Sequence, residues 1–308
     1  MKYNLKLFII LIFLPPLFQS CRHKGKPTPP VETTTYDTSK IVVDESFRPI
    51  IEEELYIFKA LNSNIHPKVV YLPENSVVPL LMEDSVRLAI LARELTPDEY
   101  KSITGRAHEP DVNRVAVDAV TLIVNQASND TTITVSEIKK MLNGTFKQDK
   151  NIVFDNPNSS LVSYLKKLSG SAVLKAKNIY ALKSNKDVIK YVSEHVDAIG
   201  ITGFSWLNDP DKDYAAAVEK VKIVGIMNDT SKTALKEYVK PSQNSLALKQ
   251  YPLTRNLYFI NCMGLYGLGQ QFETFLLSDK GQRIILKSGL LPDNIPGREI
   301  NIVKKIKQ

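Results

Sequence analysis

With 308 residues, 43 % of them hydrophobic, and a formal charge of +7, the chain is long enough for two lobes but too mildly and evenly basic for nucleic acid to be a partner. Two cysteines, Cys21 and Cys262, exclude a disulfide framework. His23, His66, His108 and His195 are scattered away from zinc-ligand spacing, so no metal and no cofactor is expected.

Residues 1–6 carry Lys2 and Lys6 without an acid, residues 7–17 are almost wholly apolar, and the segment closes with Leu17-Phe-Gln-Ser-Cys21. Residues 1–20 therefore read as a secretory signal peptide. The apolar stretch is shorter than the roughly 20 residues that span a bilayer, and Pro15 and Pro16 interrupt it. A Cys directly after Ser20 resembles a bacterial lipobox, which implies cleavage before Cys21, lipid on Cys21 and anchoring to a membrane of the cell envelope. An ordinary signal peptide with an incidental Cys is the alternative. Cleavage removes Lys2 and Lys6 and leaves +5, a charge compatible with small anions or an anionic membrane surface. Residues 21–39 are rich in Pro, Thr and Lys with little to bury, and read as a flexible tether.

Strand-like and helix-like segments then alternate, which predicts an α/β fold. Ile41-Val-Val43 reads as a strand, Asp44-Glu-Ser46 as a turn, and Phe47, Ile50, Ile51, Leu55 and Phe58 as the apolar face of a helix. The cycle repeats with a strand at Lys68-Val-Val-Tyr71, a turn at Glu74-Asn-Ser76 and a short helix over residues 77–82 despite Pro79. A strand over residues 86–91 ends at Ala92-Arg93-Glu-Leu-Thr-Pro97. Such turns deliver helix starts to the carboxyl edge of a sheet, where open α/β sheets bind their ligands. Residues 114–125 form a β-branched run around a single Asp118, longer than most strands, and residues 251–260 form a second. These two long strands are expected to cross between lobes as hinges. Thr134-Val-Ser-Glu137 is a capping box for a helix through Met141, with Gly144 as its stop. Cys262 is expected in a buried strand, as a small hydrophobe.

Asn151-Ile-Val-Phe-Asp-Asn-Pro-Asn-Ser-Ser160 is a short apolar strand that breaks into a polar loop. Leu161, Tyr164, Leu165 and Leu168 follow at helical spacing, so a helix begins at about Ser159. Its unpaired amides and positive dipole end can hold an anion. Simple capping of that helix by Asn158 or Ser159 is the other reading.

The order of Val117-Asp118-Ala-Val-Thr-Leu-Ile-Val-Asn125, Ala198-Ile-Gly-Ile-Thr-Gly-Phe204, Tyr251-Pro-Leu-Thr-Arg255 and Phe275-Leu-Leu-Ser-Asp-Lys-Gly-Gln282, with Gly289 and Pro292, resembles the phosphate-binding proteins of bacterial ABC importers. The resemblance covers the chain from about Ile41 to Pro292. It implies a two-lobed periplasmic-binding-protein fold of type II, each lobe a mixed sheet flanked by helices. Lobe 1 is expected over residues 40–117 and 255–308, and lobe 2 over residues 118–254. Helix starts, hydroxyls and an Arg would hold an oxyanion in the cleft between them, without metal.

Carried over residue by residue, Ser46 and Phe47 match the first helix-start loop and Asn75 and Ser76 the second. Arg93 matches the family's Arg, and Asn158, Ser159, Ser160 and Leu161 fall on its Gly-Ser-Gly-Thr segment. Both glycines of that segment are replaced, and Asp155 stands where the family has an Arg. Asp155 either accepts a proton from the ligand or turns outward as a cap. Ser46 and Ser76 are also plausible caps, and Arg93 a surface partner of Glu94 or Glu99. No nucleophile elbow or metal motif is present, so no catalytic residue is expected.

The resemblance implies a monomeric, lipid-anchored solute-binding protein with its globular part in the periplasm, capturing phosphate or a related oxyanion for ABC permease subunits. An envelope lipoprotein that uses the same fold as an interaction or sensing module, with an altered or empty cleft, is the alternative.

Overall fold

The computed structural model describes residues 40–106, 109–146 and 150–297. The expected signal peptide, Cys21, the tether and the chain end after residue 297 lie outside the described residues. No helix among the described residues is long and apolar enough to cross a membrane.

The strands, in chain order, are β1 (Lys40–Asp44), β2 (Lys68–Leu72), β3 (Leu88–Leu91), β4 (Asp111–Asn125), β5 (Thr132–Thr134), β6 (Asn151–Phe154), β7 (Ile179–Ala181), β8 (Ala198–Gly203), β9 (Val221–Ile223), β10 (Gly225–Met227), β11 (Thr254–Asn261) and β12 (Leu291–Pro292). The main sheet runs β2-β1-β3-β11-β4-β8-β6-β7, with β12 and β9 also pairing to β4, while β10 and β5 form a separate parallel pair. Strands β1, β2 and β3 are parallel to one another, as are β6, β7 and β8, whereas β11 runs antiparallel to both β3 and β4. This is a mixed α/β fold in which two groups of parallel strands are joined through β11 and β4.

The β-branched run of β4 explains that role. Its 15 residues extend about 50 Å at strand rise. Asp111 to Ala119 pairs with β11, and Val120 to Val124 pairs with β8. From Val115 onward nearly every residue is buried, as the covered faces of a central strand require.

Each half has its own core. Ile41, Val43, Phe47, Ile50 and Phe58 pack with Phe259, Phe272 and Leu276 on one side, where Phe58 meets Phe272 edge-on with centroids 5.0 Å apart. Val120, Leu122, Ile138, Phe154, Leu161, Leu165 and Ile201 pack on the other. Burying side chains of this size contributes about 1.5–3 kcal/mol each.

The helix predicted over residues 77–82 begins earlier, at Glu74, and ends at Met82. Glu74-Asn-Ser76, expected as a turn, is its first turn, where the dipole favours the acid. The strand expected over residues 86–91 is confined to Leu88–Leu91, and Cys262 lies one residue past the end of β11, buried. Thr134 and Glu137 form the expected capping box of the helix Val135–Leu142, and Gly144 follows it at φ +69°.

Candidate functional site

Three helix starts converge where β1, β2 and β6 end. Asp44 closes β1 and accepts the Ser46 amide at 3.1 Å, which shapes a short 3-10 turn ahead of the helix Arg48–Leu61. After β6, Asp155 and Ser159 set the start of the helix Ser160–Ser169: the Ser159 hydroxyl donates to Asp155 at 2.6 Å and accepts the Val162 amide at 3.2 Å. The first-turn amides of Ser160 and Leu161 have no intrahelical acceptor and face outward along the helix axis. The two starts touch, since the hydroxyls of Ser46 and Ser160 lie 3.3 Å apart although the residues are 114 positions distant in the chain. The third start joins through backbone, the Asn75 amide donating to the Asn158 carbonyl at 3.3 Å.

Arg255, at the beginning of β11, is the cation at this junction. It is 5 % exposed and bonds Asp118 Oδ2 through Nε at 3.0 Å and through Nη2 at 2.9 Å. Its Nη1 donates to the Ser160 hydroxyl at 3.1 Å, and its guanidinium lies 4.6 Å from the centroid of the Phe47 ring. Burial works against the charge of Arg255, but Asp118 and Asp44 outweigh it and raise its pKa above the usual value. The pair also explains Gly203 in the Ala198–Phe204 motif: a Cβ there would lie 2.7 Å from Arg255 Nη2 and 3.0 Å from Asp118 Oδ2.

Carboxylates surround this cation. Burial raises the pKa of Asp44 against the pull of Arg255. Burial likewise pushes Asp155 up to about 7 against the hydrogen bond from Ser159 and the attraction of Arg255. Asp155 also accepts from Asn185 Nδ2 at 3.0 Å, and Asn185 in turn accepts the Thr202 hydroxyl at 2.7 Å. Of the two roles left open for Asp155, the outward-turned cap does not match this buried position. Trp206 closes the far side, its indole N–H donating to the Ser46 carbonyl at 2.8 Å.

A pocket of about 350 Å³ opens on this junction, lined by Arg93, Ser160, Tyr164, Lys167 and Arg255, with Glu74 as its acid. Arg93, Lys167 and Arg255 make it attractive to an anion. Burial pushes Glu74 up to about 7, with Asp44 adding to the shift and Arg93 opposing it.

The structure thus brings Ser46, Phe47, Ser160 and the backbone of Asn75 and Asn158 together. Arg93 reaches the pocket wall, but its guanidinium forks onto Glu99 at 2.8 and 2.9 Å, the surface pairing the sequence left open. The Ser159 hydroxyl is spent on Asp155 and on capping, and the Leu161 side chain is fully buried in the core, so Leu161 offers the pocket only its amide. Ser76 is exposed at a helix start and touches none of these groups. Sequence reasoning assigned no ligand role to Arg255, Asp44, Glu74 or Asn185. A lone Asp in an apolar run and a lone Arg opening a long strand were the available signals, and only the register of β4 against β11 joins them.

A family model for the PBP superfamily domain matches residues 28–280. The chain is 27 % identical over 311 residues to the phosphate-binding protein PstS of Borreliella burgdorferi, covering 93 % of this chain and 99 % of the relative. It is similar in fold to a structure described as a phosphate ABC transporter substrate-binding protein with bound phosphate from Clostridium perfringens, with TM-score 0.68 and 19 % identity over 83 % of this chain and 99 % of the other. An ABC-type phosphate transport receptor from Vibrio cholerae is similar with TM-score 0.61 and 17 % identity over 82 % and 98 % of the two chains.

Proposed function

The chain belongs to the PBP superfamily, and from that premise we propose that it is a solute-binding protein that captures phosphate or a related oxyanion and delivers it to an ABC permease. The observation that carries this reading is the convergence of the Ser46 and Ser160 helix starts on buried Arg255, beside a pocket rich in cations. Hydroxyls, first-turn amides and a guanidinium gathered at one junction are the kinds of donor that hold a tetrahedral oxyanion. The names of the relatives support the choice of phosphate. No bond is made or broken in this function. Isothermal titration of the anion-stripped protein should give binding of phosphate. Absence of binding by phosphate, sulfate, arsenate and molybdate at millimolar concentration would remove the reading.

The finer parts of the proposal follow the same frame. Residues 40–117 with 255–308 act as one lobe and residues 118–254 as the other, closing as a monomer around the anion with β4 and β11 as the hinge. Lipid on Cys21 holds the protein at the membrane, with the globular part in the periplasm. Replacing Cys21 by Ser should release the chain from the membrane fraction. The second reading, an interaction or sensing module with an altered cleft, is favoured by one observation: Asp44 and Asp155 bring acid to a site meant for an anion. A failed titration together with a retained fold would select it.

A further inference from the structure

The junction holds more acid than base. Asp44, Asp118 and Asp155 are each 0 % exposed, and Arg255 is the buried cation they share. Arg255 directs its hydrogen bonds to Asp118 and Ser160. Asp155 is held by two uncharged donors, Ser159 and Asn185. Asp44 accepts the Ser46 amide with one oxygen, and the nearby hydroxyls of Ser160 and Ser46 only partly offset the burial that raises its pKa. Glu45 on the 3-10 turn acts on both Asp44 and Asp155, and Glu74 on the next helix start acts on Asp44 and is itself opposed by Arg93. An oxyanion seated against Ser46 and Ser160 would bring a further negative charge into this volume. Like charges that act on one another in a buried site cannot all stay ionised.

We propose that capture of an oxyanion in this cleft takes up a proton on the protein, held by Asp155 beside Asp44, so that Asp155 sets the pH range and the charge of the anion the cleft retains. This inference rests on the function proposed above. The proton is available near neutrality, because burial already places Asp155 at about 7 in the absence of ligand. An incoming anion raises it further, and binding and protonation then help each other by linkage.

Titrating inorganic phosphate into the anion-stripped wild-type protein, in buffers of different ionisation enthalpy at pH about 7.5 to 8.5, counts the protons taken up. The expected result is an uptake approaching one proton beyond that due to phosphate's own ionisation, and an affinity that weakens about tenfold per pH unit above 7 after the same correction. Asp155→Asn should lose both the excess proton and that slope. Wild-type binding without excess uptake would overturn the inference and leave the function standing. The same uptake in a folded Asp155→Asn variant would overturn the assignment to Asp155. Should that variant fail to fold, the wild-type proton count decides alone. No phosphate binding at any pH would overturn the proposed function, and this inference with it.

Discussion

Asp118 and Arg255 are register partners across the two longest strands of the sheet, and their side chains close the same pairing with hydrogen bonds at 2.9 and 3.0 Å. A backbone pairing thereby fixes a buried charge at the point where two helix starts meet, so the fold and the site depend on one contact.

Removing the cation should cost both. Arg255→Met leaves Asp118 buried without its partner, which destabilises by about 3–5 kcal/mol. Urea unfolding should show a lowered midpoint with unchanged slope, and phosphate binding should be lost. Pairing it with Asp118→Leu should recover much of the stability and none of the binding.

Gly203→Ala tests the same contact from β8. The new methyl would meet Arg255 Nη2 at 2.7 Å, and the guanidinium is locked by Asp118 and Ser160. We expect a loss of about 1–3 kcal/mol in stability and a weaker anion affinity. Thermal unfolding and titration measure the two.

Arg93→Ala separates the two arginines. Because Arg93 is forked onto Glu99 at the pocket wall and is partly exposed, its removal should weaken phosphate binding by less than about 1 kcal/mol, as an exposed pair implies. A loss matching that of Arg255→Met would return Arg93 to the centre of the site.

Glu54 supplies a pH signature away from the cleft. It is fully buried on the helix Arg48–Leu61, neither carboxyl oxygen has a partner among the described residues, and burial, aided by Glu53, pushes its pKa up to about 9. The folded state therefore keeps a proton that the unfolded chain releases near its ordinary value of 4.5. Its contribution is full below that value and is lost as pH rises toward 9, at up to about 1.4 kcal/mol per pH unit. Urea midpoints at pH 5 and pH 8 should converge in Glu54→Gln relative to the wild-type protein.

Much of the architecture was legible in the chain. The β-branched run around Asp118 marked a long central strand, Thr134 and Glu137 marked a helix start, and the spacing of Leu161 and Leu165 placed the helix after Ser159 to within a residue. These features are local, set by periodicity, caps and side-chain shape over a few neighbouring residues. The same locality made Ser46 and Ser160 visible as candidate donors, because each sits at a helix start.

What each donor faces was decided only by the tertiary structure. Arg93 and Arg255 are both single cations beside strands in sequence; Glu99 was a visible local partner for the first, but nothing local says that the second is buried against Asp118. Leu161 and Ser160 are neighbours, yet one enters the core and the other the pocket. Asp155, read from sequence as a ligand acceptor or an outward cap, is held inside by Ser159 and Asn185. The reason is physical: burial and Coulomb energies depend on distances between residues remote in the chain, and those distances exist only once β4 and β11 are paired.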